Sequence, residues 1–331
     1  VTSVRINDLS RLATAAGRLG LVEESGVLGG PGLLVVEPLS WDIDLEAAAA
    51  YVRDIPAVTL LAAAAWPDKA QALVDAFDLV TLDRAEIGAV ERAVGLAPLG
   101  AYALVTLTRR SAGMSAADGI WAESAVFSAL MGSRRYQEWL ATKPASKERT
   151  EPAEAVLVEE AEGVLRLTLN RPAARNAVDL RLRDCLVAAL ETAELRPEVG
   201  IELRGAGVCF SAGGDLTEFG DADDPATAHA VRGTRHPALA LARVADRVTA
   251  YAHGPSVGAG VELLAFARHV VAAPGATFRL PEVAMGLVPG AGGTWSVVQR
   301  MGRQRANWFM LTGATIDADT AHAWGLVDAL A

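Results

Sequence analysis

The sequence predicts an α/β fold. Short apolar runs that read as strands are followed, after loops that are often glycine-rich, by stretches with apolar groups at helical spacing, and this strand–loop–helix unit recurs along the chain. The scale fits: 331 residues with 51% hydrophobic content can bury a sizeable core in one large or two modest domains.

In the first half, residues 33–37 and 57–64 read as buried strands with a helix near 44–53 between them, and 77–83 reads as a third strand. Helical stretches follow at about 96–109 and 117–141, the second opening on Ser115-Ala116-Ala117-Asp118, close to a capping box. Charge and proline then concentrate in 143–152, as in an exposed linker. The division is therefore an α/β N-terminal domain at 1–145, a linker at 146–152 and a second domain at 153–331.

The second domain shows strand alternation at 163–170, with Leu165, Leu167 and Leu169 on one face. Arg171-Pro172 ends that strand, and Leu182, Leu186 and Leu190 then mark an amphipathic helix over 179–194. Strands at 200–204 and 247–252 lead into loops ending near Asp215 and Gly260, the latter followed by a helix through Arg268. Short strands near 269–273 and 277–280 precede helices near 294–312 and 318–324, with Asp317 as N-cap and Gly325 as C-cap. Residues 221–225 read as a loop before a helix.

Composition narrows the function classes. A formal charge of -10 argues against a general nucleic-acid surface. The longest apolar run, 56–66, is shorter than the ~18 residues a membrane span needs. The excess hydrophobicity reads instead as buried sheet and subunit interface. Two cysteines, Cys185 and Cys209, make no disulfide framework, so a reducing cytoplasm is expected. The first residues carry no secretion signal. The five histidines show no spacing that demands a metal.

Three loops carry the chemistry. Cys209-Phe210-Ser211-Ala212-Gly213-Gly214-Asp215-Leu216 and Gly258-Ala259-Gly260-Val261-Glu262 are rich in glycine, and Glu282 opens a third run ending Pro289-Gly290-Ala291-Gly292-Gly293-Thr294. Glycine lets backbone amides approach a ligand closely. Such loops are often only tight turns, but two of them in order beside two carboxylates in apolar context make an oxyanion trap with acid/base groups attached. Gly254-Pro255-Ser256-Val257-Gly258 also fits a nucleophile elbow, with Asp317 and His322 downstream. That elbow overlaps a loop already explained, and Asp317 reads as a helix cap.

In this order and spacing the segments resemble the crotonase superfamily of enoyl-CoA hydratases and isomerases, from about residue 156 to the end. The resemblance implies a spiral of ββα units. Asn170 to Val178 is similar to the family's first CoA-contacting loop, placing Ala174, Asn176 and Ala177 against the ligand, with Gly213, Asp215, Leu216 and Gly258 nearby. It implies Gly214 and Ala259 as the oxyanion donors and Glu262 and Glu282 as the acid/base pair. Leu311-Thr312-Gly313 and Ala323-Trp324-Gly325-Leu326-Val327-Asp328 complete the pattern. Family members continue with helices that cover the acyl pocket and help form trimers, whereas this sequence ends at Ala331. Residues 101–110 and 119–140 resemble those terminal helices, so the N-terminal half is expected to supply the lid.

The resemblance implies hydration of a 2,3-enoyl-CoA, a step of fatty acid metabolism, with Glu262 activating water and Glu282 passing a proton to C2. It requires no cofactor beyond the substrate's CoA, whose phosphates could meet Arg171, Arg175 or Arg303. A homotrimer or hexamer is the family-level expectation. Alternatives on the same scaffold are 3,2-isomerisation and acyl-CoA hydrolysis or decarboxylation. An inactive acyl-CoA-binding partner protein is the alternative from another class.

Overall fold

The computed structural model describes residues 2–143, 151–222 and 224–331, so most of the expected linker at 146–152 and Asp223 of the 221–225 loop lie outside it. The N-terminal half runs β1 (Val4–Ile6), α1 (Ala15–Ser25), β2 (Leu33–Val36), α2 (Leu45–Asp54), β3 (Val58–Leu61), α3 (Gln71–Val74), β4 (Leu79–Val80), α4 (Arg84–Leu96), α5 (Pro98–Ser111), α6 (Ala116–Met131) and α7 (Arg134–Leu140). Its four strands pair in parallel in sequence order. The runs Leu-Leu-Val-Val and Val-Thr-Leu-Leu are buried throughout, as central parallel strands with both faces covered must be. Strand β4 is shorter than the sequence suggests, because Asp83 already turns the chain into α4 and caps it at Ala85 N, 2.7 Å away. The helix expected over 117–141 divides at Gly132, where Ser133 Oγ accepts from Tyr136 N and starts α7.

The second half contains β5 (Val156–Ala161), β6 (Val164–Leu169), α8 (Leu180–Glu194), β7 (Gly200–Gly205), α9 (Pro225–Thr234), α10 (Pro237–Val244), β8 (Val248–Ala252), β9 (Pro255–Val257), α11 (Ala259–Leu264), β10 (His269–Ala272), β11 (Thr277–Arg279), α12 (Gly293–Met301), α13 (Arg303–Thr312), β12 (Ile316–Asp317), α14 (Ala318–Ala323) and β13 (Ala329–Leu330). A six-stranded sheet, β13-β10-β8-β7-β6-β5, is parallel apart from the β5–β6 hairpin, and β12-β11-β9 form a smaller sheet. Leu165, Leu167 and Leu169 point into the core, as their alternation predicts. The helical region expected near 294–312 is α12 and α13, separated at Gly302 with φ +75°.

The halves are joined through buried polar contacts as well as apolar packing. Asp78, after β3 and fully buried, accepts from Thr59 N and Thr59 Oγ1, both at 2.9 Å. Two guanidiniums converge on it: Arg109 Nε from α5 at 2.8 Å and Arg303 Nη1 from α13 at 3.1 Å. Asn307 of α13 donates to Asp78 O and accepts from Thr108 Oγ1. Removing the carboxylate would strand two largely desolvated cations. Asp78→Ala should therefore cost about 3–5 kcal/mol of stability, read as a lowered denaturant midpoint.

Candidate active site

The two glycine loops lie against each other. Gly213 has φ +93°, and a Cβ there would fall 2.6 Å from Val257 O. Gly258 has φ +50°, and a Cβ there would fall 2.5 Å from Glu282 Oε1 and 3.8 Å from Gly213 Cα. No side chain fits either position. The first loop is fixed from behind by Asn176, whose Nδ2 donates to Ala206 O, Cys209 O and Phe210 O, and whose Oδ1 accepts from Arg171 N. Val178 N donates to Gly213 O and Asp215 N to Val178 O, a ladder that skips the amide of Gly214. Ala259 is the first residue of α11, so its amide has no intrahelical acceptor. Among the described residues neither amide donates a backbone or side-chain hydrogen bond. Both loops border a cleft of about 360 Å³, together with Leu216, Glu282 and, from α7, Arg135 and Trp139.

Glu282 and Glu262 are both buried, and a third glutamate joins them from the N-terminal half. Glu123 of α6, fully buried, accepts from Gly292 N at 2.7 Å and from Thr294 N and Oγ1 at 2.8 and 2.7 Å. Glu262 Oε2 accepts from Ala291 N at 2.6 Å and Gly293 N at 2.9 Å. Four consecutive amides at the start of α12 are thus divided alternately between two carboxyl groups, where the helix dipole favours negative charge. Glu282 Oε2 is buried without a partner.

Burial raises the pKa of all three carboxyls. The charge of Glu262 adds to this at Glu123 and Glu282, while amides of Ala291, Gly293 and Gly290 oppose it at Glu262. Glu262 therefore ionises most readily, and Glu282, with a bare oxygen and two acidic neighbours, keeps its proton. Sequence reasoning missed Glu123. Its signal was a carboxylate three residues after Ile120 on a helix whose buried face includes both.

Other expected contacts sort differently. Asn176 is fully buried with its amide engaged inward, so it positions the loop instead of offering that amide to a ligand. Ala174 and Ala177 are buried beside it, and the carbonyl of Ala177 accepts from Arg171 Nη1. Asp215 turns from the cleft toward Arg171 and Thr217. Arg171 is held by Glu151, Asp179 and Asp215, and Arg303 by Asp78, so neither guanidinium is free for a phosphate. Arg175 is exposed. Ser256 is fully buried in β9, Asp317 caps α14 and His322 Nδ1 bonds Val327 O, so these three make no triad. His253 meets Gly207 O and does not border the cleft.

A carboxyl whose pKa rises on folding stabilises the protein fully below the ordinary carboxylate range and loses that contribution as pH climbs through the folded value. Glu282→Gln should therefore raise the melting temperature near about pH 8, with the difference closing near about pH 4. Thermal scans across pH read this directly.

The profile of the enoyl-CoA hydratase/isomerase family matches residues 159–331. The chain is similar to the 2,3-dehydroadipyl-CoA hydratase of Escherichia coli (strain K12), 37% identical over 174 residues that make up 52% of this chain and 67% of that protein. It is also similar to the mevalonyl-coenzyme A hydratase SIDH of Beauveria bassiana (strain ARSEF 2860), at 36% identity, covering 50% of this chain and 62% of that protein. Solved enoyl-CoA hydratase/isomerase structures share the fold. One from Mycobacterium abscessus superposes with TM-score 0.50 at 35% identity, covering 53% of this chain and 70% of that one. An enoyl-CoA hydratase from Geobacillus kaustophilus HTA426 gives TM-score 0.50 at 31% identity over 53% and 68%. With a family match over just over half its length, the chain belongs to the enoyl-CoA hydratase/isomerase family of the crotonase superfamily.

Proposed function

We propose that the protein hydrates the 2,3 double bond of an enoyl-CoA thioester. The observation that carries this reading is the pair of unused amides, Gly214 N and Ala259 N, on touching loops of a cleft that Glu282 borders. The thioester oxygen sits between those amides and takes up the negative charge that develops as C3 is attacked. Glu262, the carboxyl that ionises most readily, takes a proton from water and directs the hydroxide to C3. Glu282, protonated and facing the cleft, gives a proton to C2. Water is thereby added across the bond, and the CoA of the substrate is the one cofactor the chemistry needs.

The N-terminal half covers this site. Arg135 of α7 donates to Ala284 O at 3.0 and 2.6 Å, and Lys143 Nζ donates to Thr217 O and Phe219 O at 3.0 and 2.6 Å. Helices α6 and α7 act as the lid in this reading. A second reading, 3,2-isomerisation, draws on Glu282 being the carboxylate that borders the cleft, since one group suffices to shuttle a proton between C2 and C4.

Loss of the conjugated-thioester absorbance of crotonyl-CoA measures hydration, and its appearance from a 3-enoyl-CoA measures isomerisation. Glu262→Gln should abolish the first and spare the second; equal loss of both counts against the division of roles between Glu262 and Glu282. CoA affinity without turnover of either substrate would replace the enzyme reading with a binding protein. Ala259→Pro removes one donor at a helix position that tolerates proline, and kcat should fall by about 10²–10³-fold. A bell-shaped pH profile is expected, since Glu262 must be ionised and Glu282 protonated. Glu123→Gln removes a negative neighbour of Glu282, so the alkaline limb should move to lower pH.

A further inference from the structure

His236 is buried and touches no atom of the hydration steps above. It stands at the start of α10, where Pro237 follows it and its Nδ1 accepts from Ala238 N at 3.2 Å, capping the helix. A ring nitrogen that accepts carries no hydrogen, so the neutral imidazole holds its one N–H at Nε2. That N–H donates to the carbonyl of Gly290. The chain after Gly290 is pressed against the same helix end, since a Cβ on Gly292 would fall 2.8 Å from Ala238 Cβ.

The carbonyl of Gly290 and the amide of Ala291 belong to one peptide unit. It is planar and trans, so its C=O and N–H point in opposite directions. His236 holds one end of the unit. The other end, Ala291 N, donates to Glu262 Oε2 at 2.6 Å. Anchoring the carbonyl fixes the direction of the amide, and donation to the carbonyl polarises the N–H that Glu262 receives. Gly290 has no side chain of its own to hold the unit. Burial pushes the Glu262 pKa up to about 7, and the Ala291 amide is the strongest group opposing it.

The ring keeps this tautomer because it stays neutral. Burial first, then the charges of Arg232 and Arg183, bring its pKa down to about 4. Arg183 belongs to α8 and Arg232 to α9; on α6 and α11, also packed against α10, the buried carboxyls are Glu123 and Glu262.

We propose that His236 is a positioning residue for Glu262: it holds the Gly290–Ala291 peptide so that the amide is aimed at the carboxylate that activates water. This rests on the reading above in which Glu262 is the base. Without the histidine donor, the Ala291 amide turns away from Glu262, whose charged form loses a hydrogen bond and whose pKa rises.

Two substitutions separate positioning from capping. Asparagine caps a helix well but is too short to reach Gly290, whereas glutamine carries a donor near the place of Nε2 and caps poorly. In His236→Asn the acid limb of the kcat profile should move to higher pH by about one unit, about a 10-fold loss of kcat on that limb, with KM little changed. His236→Gln should recover most of that loss. An unmoved limb in His236→Asn, or a larger shift in His236→Gln than in His236→Asn, overturns the proposal. Nitrogen-15 shifts of the wild-type ring need no variant: Nε2 protonated and Nδ1 bare at neutral pH is the expected result, and the opposite tautomer or a charged ring overturns it. Infrared titration of the Glu262 carboxyl, identified by its loss in Glu262→Gln, reads the same shift without substrate. An upward shift there in His236→Asn, with neither enoyl substrate turned over by the wild-type protein, supports the positioning role and overturns the hydratase reading alone.

Discussion

The structure turns on the sharing of one helix end. The amides of residues 291–294 are divided between Glu262, which belongs to the family core, and Glu123, which comes from the N-terminal half. Burying carboxyl groups this close together is unfavourable unless donors compensate them, and the start of α12 supplies those donors with its dipole aligned. The same arrangement sets the protonation order. Glu262, richest in amides, takes the charge, and Glu282, with one oxygen bare, keeps the proton.

A helix end shared in this way makes the N-terminal half part of the site's wall and of its electrostatics. Phe127 of α6 packs against Gly290, where a Cβ would fall 2.5 Å from its ring. Arg135 and Trp139 of α7 border the cleft, and Trp139 packs edge-on to Phe219 with ring centres 5.6 Å apart. On the far side the Asp78 cluster joins the N-terminal sheet to α13. Apolar packing and these polar ties together fix how α6 and α7 sit over the core.

Much of this was legible in the sequence. The strand alternation at 163–170, the caps Ser115 and Asp317 and the glycine loops reflect local backbone chemistry, which a one-dimensional pattern records. Other features depend on tertiary contacts and left weaker traces. The break at Gly132 interrupts a pattern that reads as one continuous helix. Arg171 and Arg303 looked like phosphate ligands because an arginine beside a glycine-rich motif reads the same whether its carboxylate partners lie far away in sequence or nowhere. Glu123 was hidden for a related reason. Its donors lie in the other half of the chain, and a lone glutamate on a helix is ordinarily solvated.

The tie between Glu123 and Gly292 spans 169 positions. Contacts this distant in sequence form late, because the chain entropy of closing so long a loop must be overcome before the bond contributes. During synthesis α6 is made well before α12, and the donors that Glu123 accepts from come only with about the last eighth of the polypeptide. Assembly of the reaction centre is thus tied to completion of both halves, and a chain stalled before residue 291 lacks the four amides that Glu262 and Glu123 share.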